Sequence, residues 1–191
     1  MKSFVALALA VILAPVALAQ QPGQFHLHLD PAATEVHYTL KDTLHTVKGT
    51  FHLTAGEIVF SNSSGAHGKF TVDTGSGASG NDTRDGKMKR DYLEVPKFPV
   101  ATFDAQQVTG YNPSADSQTV NVAGTMTLHG GAHPLTLTFT VNRSGNAITA
   151  TTHFMIPYVA WGIKDPSIPF VRVEKEVAMD IVAKGTMSAE K

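Results

Sequence analysis

The chain has 191 residues, with 15 basic and 16 acidic side chains and no cysteine. This near-neutral balance, with only 8% aromatic residues, excludes the basic surface of a nucleic-acid binder and the stacking platform of a single-strand binder. Without cysteine there are no disulfides, no thiol catalysis and no Cys-type zinc site, so stability rests on burial and sheet hydrogen bonding.

The first 19 residues read as a targeting segment. Met1-Lys2 gives a basic start, Phe4 to Leu18 is almost wholly apolar, and Ala17-Leu18-Ala19 has the small-x-small pattern of a signal-peptidase site. The apolar run is too short for the roughly 20 residues of a membrane-crossing helix. A signal peptide is therefore expected over residues 1–19, a single domain over 20–191, and a periplasmic or secreted product with no transmembrane segment in the mature chain.

From there to the end, period-two alternation recurs and long helical periodicity does not. Val36, Tyr38 and Leu40 oppose Glu35, His37, Thr39 and Lys41; Val47, Gly49, Phe51 and Leu53 repeat the pattern. Phe70 and Val72, then Ala101, Phe103 and Ala105, continue it. Val122 to Leu128 leads into a turn expected over His129–Pro134, and Leu135, Leu137, Phe139 and Val141 return from it. Ile148, Ala150, Thr152, Phe154 and Ile156 follow, and a last strand carries Val177, Met179, Ile181 and Ala183. One apolar face and one polar face per strand is the signature of an antiparallel sheet wetted on one side. About eight such segments joined by Gly, Asn, Asp and Pro turns predict an all-β barrel or sandwich.

Residues 81–93 (NDTRDGKMKRDYL) break the alternation. Asn81, Asp82 or Thr83 can cap a helix there, with Arg84, Met88 and Tyr92 on one face. Gly86 costs about 1 kcal/mol of helix propensity, so a short or irregular helix is expected, placed as a lid over a barrel mouth.

Most motifs with a chemical reading fail on context. Gly75-Ser76-Gly77-Ala78-Ser79-Gly80 has the letters of a dinucleotide fingerprint without the strand–helix units it needs. Asn81-x-Thr83-x-Asp85-Gly86 has Tyr92 where a calcium loop needs its bidentate carboxylate. No nucleophile–base pair or acid–base pair is legible, so no catalytic residue and no cofactor is assigned. Nine histidines, with His26 and His28 alternating and His37 and His52 on polar faces, leave a metal-binding alternative, although recognised sites need three or four converging ligands. Arg84, Lys87, Lys89 and Arg90 form a basic cluster that can meet an anionic head group or simply face solvent.

Several motifs occur in a fixed order: Leu29-Asp30-Pro31 with Thr34-x-Val36-x-Tyr38, then Val47-Lys48-Gly49-x-Phe51 with Gly56-x-Ile58. Arg84-Asp85-Gly86-Lys87-Met88 follows, with Tyr92-Leu93 and Phe98-Pro99-Val100-Ala101-Thr102-Phe103. Gly124 to Gly130, ending in Pro134-Leu135, forms a late hairpin motif. Taken together, these stretches resemble the YceI-like family of exported lipid-binding proteins. Lys87 stands where the family often has His, and Trp161-Gly162-Ile163 lacks the Arg that commonly precedes it by four residues. Head-group recognition is therefore not carried over. The resemblance implies a single antiparallel eight-stranded lipocalin-like β-barrel with a helical lid, which is a binding protein and not an enzyme, holding a polyisoprenoid or other long-chain lipid.

An eight-stranded barrel can enclose one small ligand, and inward Gly49, Gly68, Ala101, Ala105, Gly124 and Ala150 would leave it room. The expected lining is Val36, Tyr38, Leu40, Phe51, Phe103, Met126, Leu137 and Phe154, bordered by Ala150. Met88 and Tyr92 are expected in the lid. The alternatives are a structural or interaction module with a solid core, or a metal binder using surface histidines. A homodimer stays open.

Overall fold

The computed structural model describes residues 23–61 and 65–190; the expected signal peptide lies outside them. Nine strands occur among the described residues: β1 (Gln24–Leu29), β2 (Glu35–Lys41), β3 (Thr46–Ser61), β4 (Gly65–Ala78), β5 (Val100–Thr109), β6 (Ser117–Leu128), β7 (Gly131–Ser144), β8 (Ala147–Ile156) and β9 (Val177–Glu190). Every pairing is antiparallel, and the order β1-β3-β2-β9-β8-β7-β6-β5-β4 closes through β3–β4 and β1–β9.

The nine strands fill eight places. β1 pairs with Glu57–Phe60 of β3 and β2 with Thr46–Phe51 of the same strand, and both also pair with β9. They are one barrel strand interrupted by Asp30–Thr34, where Pro31 has no N–H to give a ladder. The Asp30 carboxylate accepts from the Ala32 amide (2.9 Å). The buried Thr34 hydroxyl accepts from the Lys184 amide (3.2 Å) and donates to its carbonyl (3.4 Å). A side chain thus replaces the missing backbone partner. The result is a closed eight-stranded antiparallel barrel, as the family resemblance implied and not the sandwich that alternation also allowed.

Simple alternation fails where strands bulge. β3 shifts register between Thr50 and His52 and again between Leu53 and Ala55, and β5 shifts between Ala105 and Gln107. An extra residue turns the following side chains to the other face. Leu53 is buried, yet the next inward positions are Gly56, Ile58 and Phe60.

The turn expected over His129–Pro134 is tighter than that. Leu128 pairs with Gly131, leaving His129 (φ 50°) and Gly130 (φ 77°) as a two-residue loop. Positive φ at both is what a type I′ hairpin needs. Gly131 to Pro134 therefore belong to β7.

The wall is not uniformly sealed. The β7–β8 ladder runs only from Thr140–Thr151 to Ser144–Ala147. Beyond it β8 is paired with β9 alone, up to Ile156–Val177. The segment between β8 and β9 occupies this gap. The Trp161 ring lies flat on His133 of β7 (4.0 Å between centroids, 2° between planes), and Tyr158 and Ile163 are buried.

Further along that segment the chain makes a hairpin. Ile168 and Val171 exchange both backbone hydrogen bonds (3.0 and 3.1 Å) around Pro169-Phe170, and Phe170 has φ 75°. Positive φ at the third turn residue favours Gly or Asn. A bulky residue held there costs roughly 1–3 kcal/mol.

Candidate functional site

A cavity of about 140 Å³ lies on the barrel axis. Its lining comes from the whole barrel: Leu27 and Leu29, Val36, Leu53 to Phe60, Phe70 and Val72, Phe103, Val120 to Met126, Leu137 to Val141, Ile148 to Phe154, and Ile181 to Met187 each contribute inward residues. Thr34, Thr102 and Tyr111 are the lining residues that carry a polar side-chain group. Their hydroxyls offer little to a charged guest. The Thr34 hydroxyl is committed to Lys184, and Thr102 donates to Asp104 at 3.4 Å. The Tyr111 hydroxyl is buried without a hydrogen-bond partner.

An aromatic cluster shuts one end. Phe25, Phe60 and Tyr111 pack with centroids 5.4, 4.9 and 5.1 Å apart, the last two contacts edge-to-face. Each ring is at most 9% exposed. Such pairs add about 0.5–1.5 kcal/mol each beyond their burial.

The other end is closed by side chains and a lid. Tyr38 lies over Gly49, its cross-strand partner, where a Cβ would come within 2.5 Å of the ring. Phe51 packs on Tyr38 at 5.3 Å. The lid is a short helix, α1 (Asp82–Lys87), running into a π-helical turn, Met88–Tyr92. Its cap is Asn81, whose side chain accepts from the Arg84 amide (3.0 Å). The Met88 methyl and the Phe51 ring share the space above Gly77, at 2.6 and 2.7 Å from where its Cβ would be. Glycine there lets the lid sit down.

A polar latch fixes the lid from below. Asp85 is buried and accepts from the Ser79 amide (2.8 Å) and, at very short range, from the Ser79 hydroxyl. Arg84 turns back onto the Ser79 hydroxyl (2.8 Å) and carbonyl (3.0 Å). Burial pushes the Asp85 carboxyl up, but the Ser79 hydrogen bonds and the Arg84 charge outweigh it and hold it below its ordinary value. The Tyr38 phenol goes the other way: burial raises it more than a hydrogen bond to Ser79 lowers it. Tyr158, near Tyr92 and the negative Asp165, is raised to about 12, chiefly by burial.

Six of the eleven residues expected at the site line the cavity: Val36, Phe103, Met126, Leu137, Ala150 and Phe154. Tyr38, Leu40, Phe51, Met88 and Tyr92 do not; they pack against the core in the layer under and within the lid. Two of the small residues expected to make room are filled from inside, Gly49 by Tyr38 and Gly124 by the Phe103 ring (2.8 Å from its would-be Cβ). The basic cluster is partly spent, with Arg84 on Ser79 and Arg90 on Asp91 (2.7 Å). Alternation alone missed Ile58, Phe60 and Val108, because the bulges reverse their faces, and Tyr111, which lies beyond its strand.

Among the described residues no three metal-ligating side chains converge. His37 pairs with Glu35 (3.1 Å) and His153 with Asp180 (2.7 Å).

Two solved structures share this architecture. BcnA of Burkholderia cenocepacia superposes with a TM-score of 0.68 at 20% identity, over 83% of this chain and 99% of its own. A polyisoprenoid-binding domain from Saccharophagus degradans, implicated in plant cell wall breakdown, gives 0.62 at 17% identity, over 85% and 98%. At such identities the likeness is one of fold. No curated protein matches the sequence. The profile of the YceI-like domain matches residues 27–184, most of the chain, and the protein belongs to the YceI-like family.

Proposed function

We propose that this protein is an exported binder that sequesters or carries a long apolar chain, polyisoprenoid or another lipid, inside its barrel. The observation that carries the reading is the axial cavity, lined almost entirely by hydrocarbon. Each methylene buried there is worth about 0.8 kcal/mol, so affinity needs few polar contacts. The shared fold of the polyisoprenoid-binding domain from Saccharophagus degradans supports the same class of ligand, and the signal-like pattern of residues 1–19 supports export. A void of about 140 Å³ is similar to the roughly 150 Å³ that admits benzene in an engineered core. It holds one stretch of chain as it stands. A longer guest requires lining side chains to change rotamer or the lid to lift, and Met126 and Met187 suit such adaptation.

Mass spectrometry of an organic extract of purified protein identifies the guest directly. Ala150→Phe then separates a cavity from a solid core. The added ring fits the void, so the denaturation midpoint of stripped protein should hold while uptake of the extracted lipid falls sharply. In a close-packed interior the same change costs about 1–3 kcal/mol, and a midpoint loss of that size with uptake unchanged would refute the cavity. Stripping is required because bound lipid raises apparent stability by mass action.

A further inference from the structure

The segment between β8 and β9 does more than fill the gap beside β7. Its hairpin presents Phe170, 96% exposed, and Ile168, 58% exposed, beside Leu44 of the β2–β3 turn, 65% exposed. The two tips are tied together: the Thr43 amide donates to the Arg172 carbonyl (3.0 Å), and Asp42 and Val173 form an antiparallel bridge. Phe170 is held in a left-handed conformation while burying almost nothing. The ring therefore adds almost no burial to the fold, while its backbone carries strain.

We propose that these two tips are a membrane-docking surface, which seats the lid end of the barrel on a lipid bilayer. Two observations favour a bilayer over a protein. The apolar side chains are few and stand on separate turn tips, far short of the roughly 1,000 Å² of a specific protein interface, but suited to insertion at a lipid surface. The surface is also continuous with the site, because the same segment starts beside the lid, with Tyr158 close to Tyr92, and covers the gap in the β7–β8 ladder before it reaches the hairpin.

This inference rests on the apolar-ligand reading for its purpose but is tested apart from it. Wild type and Phe170→Gly, both purified in exported form, are sedimented with vesicles of phosphatidylethanolamine and phosphatidylglycerol. Glycine suits the positive φ, so the variant should keep or raise its denaturation midpoint while vesicle binding falls about tenfold or more, the value of burying one Phe side chain. Wild type that does not sediment, or a variant that sediments equally, would overturn the surface. So would a wild-type dimer that Phe170→Gly converts to monomer, since the tip would then be a self-contact. Uptake of geranylgeraniol from an ethanolic dispersion is measured in parallel. The variant should match wild type there and lag only when the alcohol is supplied in vesicles. If neither takes up geranylgeraniol from dispersion, the cavity reading loses support, and sedimentation alone still decides the docking surface.

Discussion

The two ends of the barrel are closed by different physics. At the Tyr111 end the seal is three aromatic rings at the ends of continuous ladders, apolar except for one idle hydroxyl. At the lid end the β7–β8 ladder has stopped, and closure depends on separate pieces: Trp161 on His133, Met88 over Gly77, and Asp85 under Ser79. A seal made from strands opens only as the barrel unfolds. One made from a helix and a loop can open while the strands stay paired. The lid end is therefore where a guest would enter.

The largest effect should come from breaking the tight end. Phe60→Ala removes a ring that is 4% exposed and should cost about 3–5 kcal/mol in chemical denaturation of ligand-free protein. A loss below about 1 kcal/mol would mean that this end is as yielding as the other, and the contrast would fall.

A smaller and more local effect is expected at the latch. Asp85→Asn keeps the shape but weakens charge-assisted bonds to Ser79, at about 1–2 kcal/mol. Amide exchange should accelerate over residues 79–92 while β3 and β9 keep their protection. Acid should do the same to wild type. The Asp85 carboxyl is held below its ordinary value, so its contribution is complete above about pH 4 and is lost as pH falls through the folded value. Uniform loss of protection across the barrel, in either experiment, would make the lid part of one cooperative unit with the strands.

The smallest effect sharpens the contrast from the other side. The Tyr111 hydroxyl is buried without a partner, so Tyr111→Phe removes a desolvation cost and should be neutral or stabilising by up to about 1 kcal/mol. A clear loss of stability would mean that a buried water or guest group satisfies it.

The strands were legible in the sequence because alternation is imposed by burial of one face, and the lid because thirteen residues from Asn81 break that alternation; the choice of barrel over sandwich came from the family resemblance, since alternation fits both. The cap was narrowed to Asn81, Asp82 or Thr83, residue types whose side chains reach back to a free amide, and Asn81 is the one that does so. Three features were not legible. Bulges at Leu53–Ala55 and Ala105–Gln107 leave no residue-type signal, so inward positions beyond them were passed over. The stop in the β7–β8 ladder concerns partners, which one strand's own pattern does not encode. The hairpin at 168–171 was hidden because its third residue is Phe170 where turn chemistry asks for Gly; Pro169 was the one cue. The last two are at the lid end, where the functional reading is concentrated.

The interrupted first strand has a consequence in time. Thr34 finds its partner in Lys184, 150 positions later, and the same is true of β1 and β2 along β9. Contacts of such sequence separation make folding slow. At about 5–20 residues per second, synthesis alone leaves roughly 10–30 s in which the N-terminal strands exist without their closing neighbour. Their open edges can template pairing with other chains during that interval. A holdase that shields them until β9 is made would address this hazard. A circular permutant that places β9 ahead of β1 would give β1 and β2 their neighbour at once and move the open edge to β9, which would then wait for β8.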